Sequence, residues 1–273
     1  MSGQITFFNK SLIDIDQGNI TITVTDAVAT NNGTDFVDYM RNRKNDSGWI
    51  TTGSTDAANT TLDVDFTDEI DFTDILLVSH NLGAYTIQYW DGAAYQDFST
   101  AITETTNTET TNHYNFTSVE SSKLKIIITG AQTVDADKVI RQLIVTRRIG
   151  DGQLEGWPII KKPTLSTNRK SNKMLSGKIS QVESIESFSC QLTVAVWSSD
   201  DDMDIVEGIY FKHQGVLLWL CGGDESQFKN ERINYRKEDI YLVRPVNEYS
   251  NEYYKGVYSN GQKITLELQE SVN

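Results

Sequence analysis

The stretch LDVDFTDEIDFTDILLVSHNLGAYTIQYW, residues 62–90, decides the fold class. Leu62, Val64 and Phe66 alternate with Asp63 and Asp65, and Tyr85, Ile87 and Tyr89 repeat the same period. A period of two sends successive side chains to opposite faces of an extended chain, so each run reads as a half-buried strand. Between them Ile75–Val78 is apolar throughout, the mark of a central strand, and Asp91-Gly92 supplies a turn.

The pattern continues on both sides. Ile20, Ile22 and Val24 alternate with threonines, Ile126–Ile128 is another apolar run, and Val139, Arg141, Leu143 and Val145 alternate again. Abundant threonine suits a pleated surface, and Asn32-Gly33 and Asn260-Gly261 mark further turns. Only two helices are expected. Asp35–Lys44 has Phe36, Val37 and Met40 for a buried face, and Asp200–Lys212 has acids in its first turn, Met203, Val206 and Tyr210 at helical spacing, and Gly215 beyond its end. The class is all-β.

With 273 residues the chain holds one large or two ordinary domains. Glycines and two of the three prolines gather in Ile149–Pro163, which places a first domain at 1–150, a short ordered linker at 151–163 and a second domain at 164–273. The threonine-rich stretch Thr100–Thr111 reads as a solvated hairpin loop.

A formal charge of −14 argues against binding nucleic acid, which needs a basic stripe to displace counterions, and against an anionic membrane surface. The first 150 residues carry 20 acidic against 10 basic side chains and the remainder 18 against 14, so the second part is the better placed to meet a partner. Cys190 and Cys221 lie in apolar runs and read as buried free thiols. The start, MSGQITFFNK, lacks the pattern of a secretory leader, and no apolar run approaches the ~20 residues that span a bilayer. A soluble protein made in the cytoplasm is expected.

Residues able to do chemistry are scattered. His80, His113 and His213 have no nucleophile elbow beside them, and His80 reads as orienting a turn. Gly150-Asp151-Gly152 and Gly222-Gly223 lack the Gly-Lys-Ser/Thr of a phosphate loop. Asp63, Asp65, Asp68, Glu69, Asp71 and Asp74 could offer calcium oxygen ligands, but the spacing of a calcium loop is missing and a solvated acidic face is the expectation. No catalytic residue, metal or cofactor is assigned, and the protein reads as a non-enzyme.

Two resemblances add to this reading. Trp219–Asp224, Tyr235–Ile240, Asn247-Glu248 and Gly256–Gly261 running into Leu266–Glu270 give the last hundred residues a cadence. It resembles the C-terminal domains of tailed-bacteriophage tail and baseplate proteins. The first domain has Trp49 before Leu62–Phe66, Ile75–Val78 leading to His80-Asn81-Leu82, Tyr85–Trp90 with Asp91-Gly92 and Tyr95, and a late pair, Lys123–Thr129 and Lys138–Arg147. This order resembles the galactose-binding-like jelly roll of discoidin-type modules over about residues 45–148, without their bracketing cysteines.

The resemblances imply a jelly-roll β-sandwich followed by a β-barrel or sandwich domain with one short helix. They imply a structural component of a phage tail tip or baseplate, located in the virion, forming a trimeric or hexameric ring with other tail proteins around it. Trp219, Tyr235, Arg236, Tyr253, Tyr254 and Tyr258 are the candidate assembly residues, partly core and partly interface. The alternative is a lectin-like adhesion module that holds a host surface glycan. Trp49, Trp90, Tyr95 and His113 are its candidate contacts, with core or interface packing as the competing role for Trp49 and Trp90. The fold alone does not confer the ligand.

Overall fold

The structure, a computed structural model, describes residues 5–26, 37–43, 47–51, 59–153, 159–173, 179–197, 200–212, 215–220, 238–249, 251–256 and 259–271; within 151–187, 194–202 and 251–263 the description extends to the backbone alone. It is built mostly of antiparallel strands in two sheets with, among the described residues, one short α-helix, a sandwich-like all-β fold. The chain divides into two compact units: Lys10–Arg148, and Met1–Asn9 joined with Ile149–Asn273. Residues 5–9, expected with the first domain, thus group with the C-terminal part.

The Lys10–Arg148 unit is organised by two long strands, β4 (Thr60–His80) and β7 (Asn112–Ala131). An unbroken strand of 21 residues would extend about 70 Å, whereas a domain of this size has a radius of gyration of about 14 Å. The strand must therefore turn within itself. It does so at Phe66–Glu69, four residues of β4 that stand between the Asp65↔Lys123 and Ile70↔Ser121 pairs and meet only Ser122. Thr67 takes a positive φ of 68° there. Its amide donates to Asp65 Oδ1 at 2.9 Å, and its hydroxyl donates to the Asn19 carbonyl at 2.6 Å.

Each half of β4 then has its own neighbours. Thr60–Asp65 lies between β2 (Thr21–Asp26) and Lys123–Ile128 of β7, with β5 (Leu82–Trp90) and β6 (Tyr95–Glu104) following beyond β7. The later half lies between Asn112–Ser121 of β7 and β8 (Val139–Thr146), with β3 (Trp49–Ile50) at the edge. Two layers share two strands, and one core fills the space between them. Leu62, Val64 and Phe66 face it from one half of β4, Phe72, Ile75 and Leu77 from the other. Phe72 sits at the centre, its ring centroid 5.9 Å from Phe66, 6.3 Å from Phe98 and 5.8 Å from Phe116.

The other unit contains β1 (Thr6–Asn9), β9 (Arg148–Gln153), β10 (Ile159–Lys173), β11 (Ile179–Trp197), β12 (Val216–Trp219), β13 (Ile240–Pro245), β14 (Asn251–Gly256) and β15 (Ser259–Glu270). Their order is β10-β11-β15-β13-β12-β1-β9, with β14 also on β15. Strands β9 and β10 thus run through the expected linker. The helix α1 (Asp200–Glu207) continues as one wider turn, Gly208–Lys212. Ile205, Val206 and Ile209 are its fully buried face, with Met203 and Tyr210 only packed against that core. Cys190 is buried in the same core, which pushes its thiol up to about 12, while Cys221 lies outside the described residues.

Other expectations shift in register. The N-terminal helix is a single tight turn, Asp38–Met40, with Val37 and Met40 buried. On β8 the expected Leu143 and Val145 are buried, but at its start it is Ile140, opposite Trp49, and not Val139 or Arg141, that is fully buried. The last hairpin closes between Gly256 and Ser259, so Asn260 sits in the strand opposite Lys255. Asn32-Gly33 lies outside the described residues. Thr100–Glu104 belong to β6, and Asn107 is buried, its side-chain amide donating to the Leu82 carbonyl at 2.8 Å.

Phe72→Ala removes the ring that both layers touch. We expect a loss of about 3–5 kcal/mol in urea unfolding, and a loss below ~1 kcal/mol would contradict a shared core.

Candidate functional site

Cross-strand partners point to the same face of a sheet, so the register of the five-stranded layer lays out its outer surface. Thr23, Asp63, Lys125, Gln88 and Asp97 form one continuous row across β2, β4, β7, β5 and β6. The neighbouring row begins Thr21, Asp65, Lys123, and at the end of the β5–β6 hairpin Trp90 faces Tyr95. Acid stands beside base along both rows. Lys125 Nζ is 3.3 Å from Asp63 Oδ1, Lys123 Nζ is 3.5 Å from Asp65 Oδ2, and Gln88 donates to Asp97 at 2.9 Å.

The hairpin end is fixed by local chemistry. Asp91 Oδ1 accepts the amides of Ala93 and Ala94 at 2.9 and 2.8 Å, and Gly92 takes a φ of +96° that a side chain would oppose. Trp90 is held by Ser121, whose hydroxyl donates to the Trp90 carbonyl at 2.7 Å and accepts its amide at 3.1 Å. The Trp90 and Tyr95 rings meet edge to face at 5.2 Å. Lys125 Nζ lies 3.8 Å from the centre of the Tyr95 ring, and Lys123 Nζ lies 5.8 Å from that of Trp90.

Tyr95 also donates its hydroxyl to Asp63 Oδ1 at 2.9 Å. Strand β6 is three strands away from β4, about 14 Å on a flat sheet, farther than the two side chains reach together. The layer therefore curls, and the hairpin end leans over the outer face. Below it lies an open depression of about 530 Å3 lined by Thr21, Thr23, Asp63, Val64, Asp65, Thr67, Tyr95 and Lys123. Partial desolvation and the bond to Asp63 raise the Tyr95 phenol well above its ordinary value, so it stays protonated and donating.

Of the four candidate glycan contacts, the structure brings together Trp90 and Tyr95. Trp49 is fully buried in the core, its ring covered on both faces, which removes it as a surface contact. His113 is on the other layer, its Nε2 donating to Asp74 Oδ1 at 2.7 Å, while Arg148 Nε donates to Asp74 Oδ2 at 2.9 Å. Asp74 is completely buried and Asp71 pairs with Arg147 at 3.6 Å, so the acids considered for calcium are dispersed by the break in β4. Among the described residues no group of three His, Cys, Asp or Glu is placed to hold a metal ion.

Of the assembly candidates, Trp219 is 2% exposed on β12, flanked by β13 and β1, so it serves the core of its own chain and is not a surface residue. Tyr235, Arg236 and Tyr258 lie outside the described residues, as do the side chains of Tyr253 and Tyr254. Asn247 has a local role: it accepts from Tyr210 at 2.9 Å and from the Glu267 amide at 2.8 Å, and donates to the Thr265 carbonyl at 2.8 Å.

No family model matches this chain, and no curated protein does. Solved structures do resemble half of it. A Ruminococcus gnavus GH29 fucosidase in complex with fucose is 13% identical with a TM-score of 0.41, over 52% of this chain and 27% of that one. Chitosan-binding module 1 of a chitosanase/glucanase from Paenibacillus sp. IK-5 is 15% identical, TM-score 0.39, over 50% and 98%. CpGH89CBM32-5 from Clostridium perfringens, in complex with GalNAc-beta-1,3-galactose, is 14% identical, TM-score 0.37, over 50% and 99%. The chain thus spans about a quarter of the fucosidase and nearly all of the two modules. Nothing in these likenesses speaks to the phage-tail resemblance.

A second polar cluster is structural. His80 Nδ1 accepts the Leu82 amide at 3.1 Å, which fixes the turn after β4, and its Nε2 bonds Asn112 Oδ1 at 2.7 Å. Tyr85 and Tyr114 join hydroxyls at 2.5 Å, and Tyr114 donates to Glu104 at 3.2 Å. Burial lowers His80 from 6.5 to about 4. A depressed folded pKa favours unfolding as protons bind the unfolded chain first, so stability present above pH 6.5 is lost as pH falls through 4. The loss reaches roughly 3 kcal/mol. Urea melts between pH 7.5 and 4 should show it, and His80→Gln should flatten that part of the profile; an unchanged slope would refute the assignment.

Proposed function

We propose that the Lys10–Arg148 unit binds carbohydrate, without catalysis, on the outer face of the five-stranded layer. The observation that carries this is Tyr95, with the Trp90 ring packed against it, on the wall of a depression lined by carboxylates, threonine hydroxyls and an ammonium. A sugar offers an apolar C–H face to an aromatic ring and a rim of hydroxyls to such polar groups, and a site of this kind needs few contacts if they are held in place. Here they are held: Trp90 by Ser121, Tyr95 by Asp63, and both by the Asp91 turn. Of the two functions drawn from the sequence, this face favours the adhesion module.

A glycan array probed with the full chain tests the reading. Any glycan that binds should lose about tenfold or more in affinity with Trp90→Ala, equivalent to ~1.4 kcal/mol, at an unchanged melting temperature. Binding indifferent to Trp90→Ala would place the ligand elsewhere and overturn the proposal.

A second reading concerns the other unit and is favoured by an exposed aromatic cluster. Phe211 is 66% exposed, and its ring lies 5.3 Å from that of Tyr249 and 6.1 Å from that of Tyr210. Isolated apolar side chains need no explanation, but a cluster on a wide turn suits an interface. The occupant proposed is a second copy of this chain, in the cyclic assembly that the tail resemblance implies. Light scattering over a concentration series should then give a discrete trimer or hexamer that Phe211→Ser weakens. A strict monomer at every concentration would overturn it.

A further inference from the structure

We infer that the saccharide taken by the depression is a cationic one, an amino sugar with a free ammonium, in preference to its N-acetylated or acidic counterparts. This rests on the carbohydrate reading above and deepens it. The argument is a count of donors and acceptors around the depression. Among the described residues, Tyr95 and Lys125 both address Asp63 at Oδ1, which leaves Oδ2 with its lone pairs. Asp65 Oδ1 accepts the Thr67 amide, and Oδ2 has only the loose 3.5 Å approach of Lys123. The Tyr95 hydroxyl has committed its proton to Asp63, so toward a ligand its oxygen can only accept.

Beside threonine hydroxyls that can donate or accept, the lining offers carboxylate and phenol acceptors, with Lys123 its one ammonium and Lys125 reaching Asp63 Oδ1 from beside it. A neutral sugar hydroxyl brings one donor to such a surface, whereas an ammonium brings three and a charge. Asp63 and Asp65 are two residues apart on one strand and face the same way, about 7 Å along the chain, so a cation seated between them meets both carboxylates. Asp63 and Asp65 keep 34% and 46% of their side-chain surface exposed. Lys123 is 42% exposed, and ion pairs this open contribute little, so a ligand ammonium displaces it at small cost. The net charge of −14 works in the same direction by drawing cations and repelling anionic saccharides. The carboxylates do not stand alone, since Tyr95 closes the same depression and Trp90 abuts it.

The experiment is calorimetric titration of the full chain at pH 6 with a glucosamine tetramer, an N-acetylglucosamine tetramer and a tetramer of a uronic acid, beside the glycan array. The expected result is a glucosamine tetramer bound about tenfold or more tighter than the other two, weakening with added salt. Asp65→Asn keeps an acceptor for the Thr67 amide while removing the charge and turning the free oxygen into an amide donor, so it should erase that preference while leaving the fold intact. Equal binding of the glucosamine and N-acetylglucosamine tetramers, or tighter binding of the uronic acid, overturns the cationic assignment but leaves the carbohydrate reading standing. If no tetramer and no array glycan binds, both fall. A preference that survives Asp65→Asn overturns the seat proposed between the two carboxylates.

Discussion

Everything in the Lys10–Arg148 unit depends on β4 and β7 belonging to two layers at once. Four residues of β4 opposite one of β7 break the ladder, and the positive φ of Thr67 turns the strand there. Even-numbered residues face inward on both sides of this break, Leu62, Val64 and Phe66 before it and Phe72 after it, and the change to odd-numbered Ile75 and Leu77 comes at the second register shift, between Phe72 and Asp74. A one-residue slip in a strand inverts its faces, so the bend and the later shift together let one strand line the same core from two sides. Phe72 secures the fold because it lies just past the bend, where both layers reach it.

The same bend shapes the outer surface. With the hydrophobic set turned inward, Asp63 and Asp65 are left on the outer face of β4, and the pairing register delivers Lys125 and Lys123 beside them. Oppositely charged cross-strand pairs contribute a few tenths to about 1 kcal/mol each, too little to explain the fold. Their effect is on geometry. The lysines spread over the aromatic rings at the hairpin end, and Tyr95 crosses to Asp63, which holds the curled edge of the layer over its own face.

How much of this could be read from the chain follows from the range of each signal. Alternation is local, so the strands around Leu62, Tyr85 and Ile126 were legible, as was the Asp91-Gly92 turn. Phase across a bulge is not local, and Leu62–Phe66 and Ile75–Val78 look like two strands when they are two parts of one. Trp49 misled for a related reason. A tryptophan beside loops looks available, but its burial is decided by Ile140, some ninety residues away in sequence. The inserted arrangement of the units was hidden as well, because β1 pairs with β12 across more than two hundred residues. Composition around Ile149–Pro163 signals a change of element and says nothing of which strands it rejoins.

The candidate site was half legible. Trp90 and Tyr95 were visible because a turn brings them together within six residues. Asp63 and Asp65 were visible as an acidic outer face, and that is where they lie. What was missing is the pairing that joins the two features: Lys123 and Lys125 repeat on β7 with the same period as the two acids on β4, a complementarity that becomes a signal only once the register is known. Two charged residues of each sign, spaced alike on adjoining strands and overhung by an aromatic hairpin, form a surface whose parts already bond one another. Such a surface needs little rearrangement to exchange an internal partner for an external one, since each bond a ligand makes replaces one that was exposed and weak. This is why the solvent face of a sheet, ordinarily the least informative part of a β protein, is here the part that argues for a function.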